Sequence, residues 1–147
     1  MTTKEILNLL PYASPFLFAD ELHEISENGA KGSYTFKTDE YFYQGHFKDF
    51  PITPGVILTE TMAQIGLVCL GIYLFKDRLN LDSMPEIALI SSEVSFLAPV
   101  FPGEKVTVTS QKNYFRFNKL KCEVEMRNSE NKLVCTGTIA GMIKCRK

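Results

Sequence analysis

Tryptophan is absent from this 147-residue chain, histidine occurs only twice, and the formal net charge is −1. So even a balance gives no general electrostatic attraction to nucleic acid or to an anionic membrane. The aromatic residues are all Phe and Tyr, and they read as core rather than as base-stacking platforms. Cys69, Cys122, Cys135 and Cys145 form no C-x-x-C pair and have no histidine at ligand spacing. A zinc site is therefore not expected, and neither metal nor cofactor is called for. The opening stretch MTTKEILNLLPYASPF lacks the apolar block of a signal peptide, so a cytoplasmic protein with reduced thiols is expected. Repeats, low-complexity tracts and linkers are also missing, and the length suits one domain over residues 1–147.

What the chain does have is one long apolar run, Val56 to Phe75, of twenty residues. By length it could span a membrane. Thr59, Glu60, Thr61 and Gln64 in its first half argue against that, because an intramembrane carboxylate needs a polar partner. A helix apolar all round is also what the centre of a globular core requires. The run reads as a buried core helix of a soluble protein, with no membrane span.

Around it the pattern is that of an antiparallel sheet. Thr2 to Leu10 reads as a short amphipathic helix ended by Pro11 and Pro15. Phe16 to Ile25 and Lys31 to Lys37 read as strands joined by a turn at Asn28-Gly29. Thr38 to Thr53 reads as an irregular loop, after which Pro54-Gly55 opens the long helix, ending near Lys76-Asp77-Arg78. Four further strands are expected over Glu86–Leu97, Lys105–Tyr114, Arg116–Arg127 and Lys132–Lys144, with a bend near Asn113. One helix inside one curled antiparallel sheet is an α+β domain. A single sheet cannot cover such a helix completely, so a two-fold partner subunit is expected.

The chemistry concentrates in YFYQGHFKDFPITPGVILTETMAQ, Tyr41 to Gln64. Glu60 would project from the second turn of the helix, with Gln64 one turn further on the same face. The first amides of the helix, at Gly55 and Val56, have no intrahelical partner and could bind an oxygen that becomes negative. His46 sits on a loop beside Gly45, which lets the backbone approach another group closely. A base, a carboxylate and an oxyanion-binding helix end over an apolar cavity suit removal of a proton alpha to a carbonyl. Taken singly, such a histidine as His46 is more often structural or on the surface than catalytic, and Glu60 could be a charge favoured by the helix dipole. His23, among charged neighbours, reads as exposed. Cys69 reads as core, as do Tyr114, Phe115 and Phe117, which could otherwise line an acyl tunnel.

Gly45-His46-Phe47, Pro51, Pro54-Gly55-Val56, Glu60 and Ala63-Gln64 resemble the active-site pattern of the β-hydroxyacyl-acyl carrier protein dehydratases of fatty-acid synthesis. LPYASPFLFAD (Leu10–Asp20) and VSFLAPVFPGEKVTV (Val94–Val108) resemble two further segments of that family, so the likeness spans almost the whole chain. It implies the hot-dog fold, in which a curved antiparallel sheet wraps one long helix. Glutamate at position 60 resembles the branch that only dehydrates.

The resemblance further implies His46 as general base on a (3R)-3-hydroxyacyl thioester and Glu60, given across a dimer interface, as the acid that helps the hydroxyl leave, yielding a trans-2-enoyl thioester. Gly55 would supply the oxyanion amide, with Phe47, Ile52, Val56 and Gln64 around the substrate. Neutral imidazole is the form the first step needs, and apolar surroundings would favour a protonated Glu60. Acyl carrier protein as partner, and a homodimer that could assemble into a trimer of dimers, follow from the same likeness. The chain departs from the family at Lys48-Asp49-Phe50, at Tyr12-Ala13 where His-Arg is usual, and at Leu97-Ala98, often basic. Arg116, Lys119 and Lys121 could replace that basic patch or form a solvated strand face. Two rival functions are a hot-dog thioesterase and a non-catalytic subunit that binds acyl carrier protein.

Overall fold

The computed structural model describes residues 1–79 and 84–146. A short helix α1 (Thr3–Asn8) opens the chain. Thr2 caps it, accepting from the Glu5 amide while the Glu5 side chain reaches back to the Thr2 amide, the reciprocal arrangement that satisfies two exposed donors. Six strands follow: β1 (Glu21–Ser26), β2 (Gly29–Thr35), β3 (Met84–Phe96), β4 (Lys105–Arg116), β5 (Lys119–Asn128) and β6 (Leu133–Arg146). They form one sheet in the order β1-β2-β4-β5-β6-β3, every described pair antiparallel. The expected loop after β2 contains a single 3-10 turn, Tyr41–Gln44.

The apolar run forms α2 (Gly55–Leu74), among the described residues the one helix long and apolar enough to cross a membrane. It lies instead across the sheet, and Ile65, Leu67, Leu70 and Ile72 are fully or almost fully buried. Each such side chain contributes roughly 1.5–3 kcal/mol, which is why a helix without a polar face is stable here. Over Ala63–Val68 its turns widen to the π form. There the Ser110 hydroxyl of β4 donates to the Gly66 carbonyl at 2.7 Å and accepts from the Ala30 amide of β2 at 3.2 Å. Gly66 permits that approach: a β-carbon on it would stand 3.0 Å from both Ser110 and Val124.

Several boundaries differ from those the sequence suggests, two of them by more than a residue or two. Phe16 to Asp20 is not strand, and β1 begins only at Glu21, because the backbone of Phe16 and Phe18 is bonded to the Gln64 side chain of α2 rather than to a neighbouring strand. The bend near Asn113 is a bulge inside β4, where the register slips between Lys112 and Tyr114. The hairpin turn comes later, at Phe117-Asn118, both with positive φ, the geometry that matches strand twist in a two-residue hairpin. Phe117 therefore points to solvent, 92% exposed, and is not the core residue its apolar character suggested. Arg116 and Lys119 lie over the Tyr114 ring, at 4.5 and 5.7 Å. Arg78, just past α2, bonds Asn118 at 2.8 Å, so this cationic hairpin belongs to the helix end remote from Gly55.

Candidate active site

Two segments build the site: the loop that returns from the 3-10 turn to α2, and the first two turns of α2. The loop is closed by reciprocal bonds between His46 and Ile52. The Ile52 amide donates to the His46 carbonyl at 3.0 Å, and His46 Nδ1 lies 2.9 Å from the Ile52 carbonyl. A carbonyl can only accept, so Nδ1 carries the proton, and in neutral imidazole Nε2 is left as a bare acceptor. The Thr53 amide then donates to the Val100 carbonyl at 2.9 Å, and the buried Tyr43 and Thr53 hydroxyls are 2.6 Å apart. The His46–Phe47 peptide is cis, and the two rings stack with centroids 4.2 Å apart. Ile52 thus holds the loop through its backbone, in addition to the pocket-wall place expected of its side chain.

At the start of α2 no side chain caps the helix among the described bonds, so its first amides remain available at the positive end of the dipole. Beside Gly55 opens a cavity of about 460 Å³ lined by Ile52, Thr53, Leu58 and the stretch Phe96 to Pro99. A β-carbon on Gly55 would stand 3.1–3.4 Å from the Phe96 ring. Phe96 and Leu97 are wall residues that sequence reasoning missed, although both lie in a family-like segment. Val56 and Phe47, expected as pocket wall, are 76% and 56% exposed in one protomer.

Glu60 is half-buried, and its Oε2 accepts from Gln64 Nε2 at 2.9 Å. Burial pushes its carboxyl above the ordinary glutamate value of 4.5, while the Gln64 bond pulls the other way. The phenol of Tyr12, at a position where the chain departs from the family, is itself pushed up by burial and by the charges of Glu60 and Cys69. Gln64, expected to touch substrate, is fully enclosed and spends its amide on Phe16, Phe18 and Glu60. Within one protomer His46 and Glu60 are not bonded to each other; each is held by a different neighbour.

A carboxyl whose folded value is raised binds more protons folded than unfolded, so it costs stability as pH rises through that raised value. Glu60→Gln removes the cost. Its thermal midpoint should exceed that of the wild type, by little below pH 4.5 and by a growing margin at higher pH. Calorimetry across that range checks this, and a margin that shrinks with pH would contradict the burial of Glu60.

The fold and site together define a hot-dog protein with a histidine loop set against the end of its central helix. A sequence model of the FabA-like domain matches residues 10–138. The chain is 32% identical to the 3-hydroxyacyl-[acyl-carrier-protein] dehydratase FabZ of Clostridium perfringens, over 95% of this chain and 96% of that one. Its identity to the FabZ of Caldicellulosiruptor saccharolyticus is 35%, with the same coverage. The chain belongs to the FabA-like family. Among solved structures it is similar to the dehydratase heterocomplex ApeI:P from Xenorhabdus doucetiae, with TM-score 0.79, 16% identity and coverage of 98% and 92%. It also resembles thioesterase HI1161 from Haemophilus influenzae, with TM-score 0.70, 17% identity and coverage of 98% and 91%. These two share the fold.

Proposed function

We propose that the protein removes water from 3-hydroxyacyl thioesters borne on acyl carrier protein, as a homodimer whose sites lie between subunits. The observation that carries this reading is His46, whose Nδ1 is tied to the Ile52 carbonyl so that Nε2 is free to act as a base. In this reading Nε2 takes the alpha proton while the Gly55 amide polarises the thioester carbonyl. Glu60 of the partner subunit gives its proton to the departing hydroxyl. Its raised carboxyl value favours the protonated form that this role requires.

The dimer is supported by the sheet edge. β3 is an edge strand of thirteen residues, and Leu89, Ile90 and Phe96 along it are exposed. A long apolar edge is a template for pairing unless something covers it. Two β3 strands paired antiparallel would join the sheets of both subunits and cover the ends of β3 near Gly55. Ile90→Lys would place two like charges close together at such a seam. We expect a largely monomeric protein by analytical ultracentrifugation, with dehydration lowered at least about tenfold. An unchanged dimer would remove β3 as the interface.

Mass spectrometry of the acyl group after incubation with a 3-hydroxyacyl carrier protein tests the reaction. Loss of one water with the acyl chain still attached is expected. Release of free acid would favour the thioesterase reading. Acyl carrier protein and a cytoplasmic site of action belong to the same proposal.

A further inference from the structure

Two buried hydroxyls elsewhere in the fold spend their protons on backbone carbonyls. Thr61 donates to Ile57 at 2.8 Å, and Ser110 donates to Gly66 at 2.7 Å. Tyr43 and Thr53 are buried too, but their hydroxyls have only each other. The oxygens lie 2.6 Å apart, and among the described residues neither has another hydrogen-bond partner. One bond between two hydroxyls uses one proton, so a second proton is left over.

The surroundings of each group decide whose proton that is. If Thr53 donated, the phenol proton of Tyr43 would be buried without an acceptor, which is costly. The carboxylates whose charges act on the phenol are Glu40 and Glu104. They accept instead from the Tyr34 hydroxyl and the Phe101 amide. If Tyr43 donates, the leftover proton belongs to Thr53, which lines the cavity of about 460 Å³ beside Gly55. A molecule bound there can accept it. A phenol is also the stronger acid of the two hydroxyls, and so the stronger donor. Burial pushes the Tyr43 phenol up to about 12, against the pull of the Thr53 bond. It therefore keeps its proton throughout the neutral range.

We propose that the Thr53 hydroxyl is a second donor to the thioester oxygen polarised by the Gly55 amide, with Tyr43 holding the Thr53 oxygen from behind. This rests on the reading of Gly55 as the oxyanion donor. Thr53 is anchored twice, by its amide on the Val100 carbonyl at 2.9 Å and by its side-chain oxygen on Tyr43. Only Pro54, with its ring-fixed φ of −59°, separates it from Gly55. No proton is transferred. The hydroxyl keeps its hydrogen, its bond strengthens as charge develops on the substrate oxygen, and it weakens again when the carbonyl re-forms. A donor already held in place needs no reorganisation during the reaction. The phenol behind it polarises the hydroxyl and makes it a better donor than a lone one.

Thr53→Val keeps the shape and removes the hydroxyl. Turnover should fall about tenfold to a hundredfold, with KM within about threefold. Thr53→Ser should recover most of the loss. Thr53→Val also leaves the Tyr43 phenol buried and unpaired, so its Tm should drop. Combining Tyr43→Phe with Thr53→Val replaces both partners by apolar groups of like shape, which should regain Tm without regaining turnover. Recovery of turnover together with Tm overturns the proposal, because a purely structural pair predicts that result.

A second readout needs no reaction. A saturated acyl pantetheine thioester with an isotope-labelled carbonyl has no hydroxyl to lose as water. Its bound carbonyl stretch, read by difference infrared spectroscopy, should lie at higher frequency in Thr53→Val and in the double variant than in the wild type. With one donor gone, the carbonyl is less polarised. An unmoved stretch overturns the proposal even where dehydration is normal. Absence of turnover in the wild type would sink the dehydratase reading and leave this one to the carbonyl stretch. A wild type that fails to bind the thioester would sink both.

Discussion

His46→Ala is expected to lower kcat for dehydration by at least about a hundredfold, roughly 2.7 kcal/mol of transition-state stabilisation. KM should change little and the fold should persist. The physical reasons are local. The loop is held by backbone bonds that survive the substitution, from the Ile52 amide to the His46 carbonyl and from the Thr53 amide to the Val100 carbonyl. What alanine removes is the imidazole, one nitrogen of which is committed to the Ile52 carbonyl. The other is the base in the proposed reaction. No second imidazole can substitute: His23 lies on β1, bonded to Ser33 at 2.9 Å. Circular dichroism and Tm check the fold while steady-state kinetics read the loss. Full turnover in His46→Ala would end the assignment of this residue and weaken that of the reaction.

The second large effect concerns two chains. His46→Ala and Glu60→Gln should each be nearly inactive as homodimers, yet recover activity when unfolded together and refolded. With sites shared between subunits as proposed, one site of a mixed dimer receives His46 from the Glu60→Gln chain and Glu60 from the His46→Ala chain, so it is whole. Its twin receives neither. Random pairing of equal amounts should restore about a quarter of the wild-type rate. If instead each site drew both residues from one chain, mixing would restore nothing. The geometry motivating this test is that neither residue bonds the other within a protomer. His46 is spent on Ile52 and Glu60 on Gln64, while exposed Phe47 and Val56 leave an apolar rim for a neighbour to cover.

The same residues show why some features were legible in advance. K-V-T-V-T alternates with period two, and in β4 Val106 and Val108 are buried as that period requires. Pro54-Gly55 stands at the helix start because proline loses nothing where the amide has no partner. Both are local rules, and they held. The hairpin turn did not follow, because Asn113 and Asn118 are both plausible turn residues. A bulge at the first and positive φ at the second decide between them. Phe117 follows the same logic: composition makes it apolar, and only the turn sends it outward.

By itself, the sequence determined the order of elements, the buried helix and the set of residues able to do chemistry, since these rest on periodicity, caps and the spacing of His46, Gly55 and Glu60. The tertiary structure alone decided which atoms are committed. The Ile52 carbonyl fixes the proton on His46 Nδ1, and Phe16 and Phe18, more than forty residues from Gln64 along the chain, fix the amide that holds Glu60 Oε2. Such commitments depend on distance and direction between backbone groups far apart in sequence, and no residue pattern encodes those until the chain has folded.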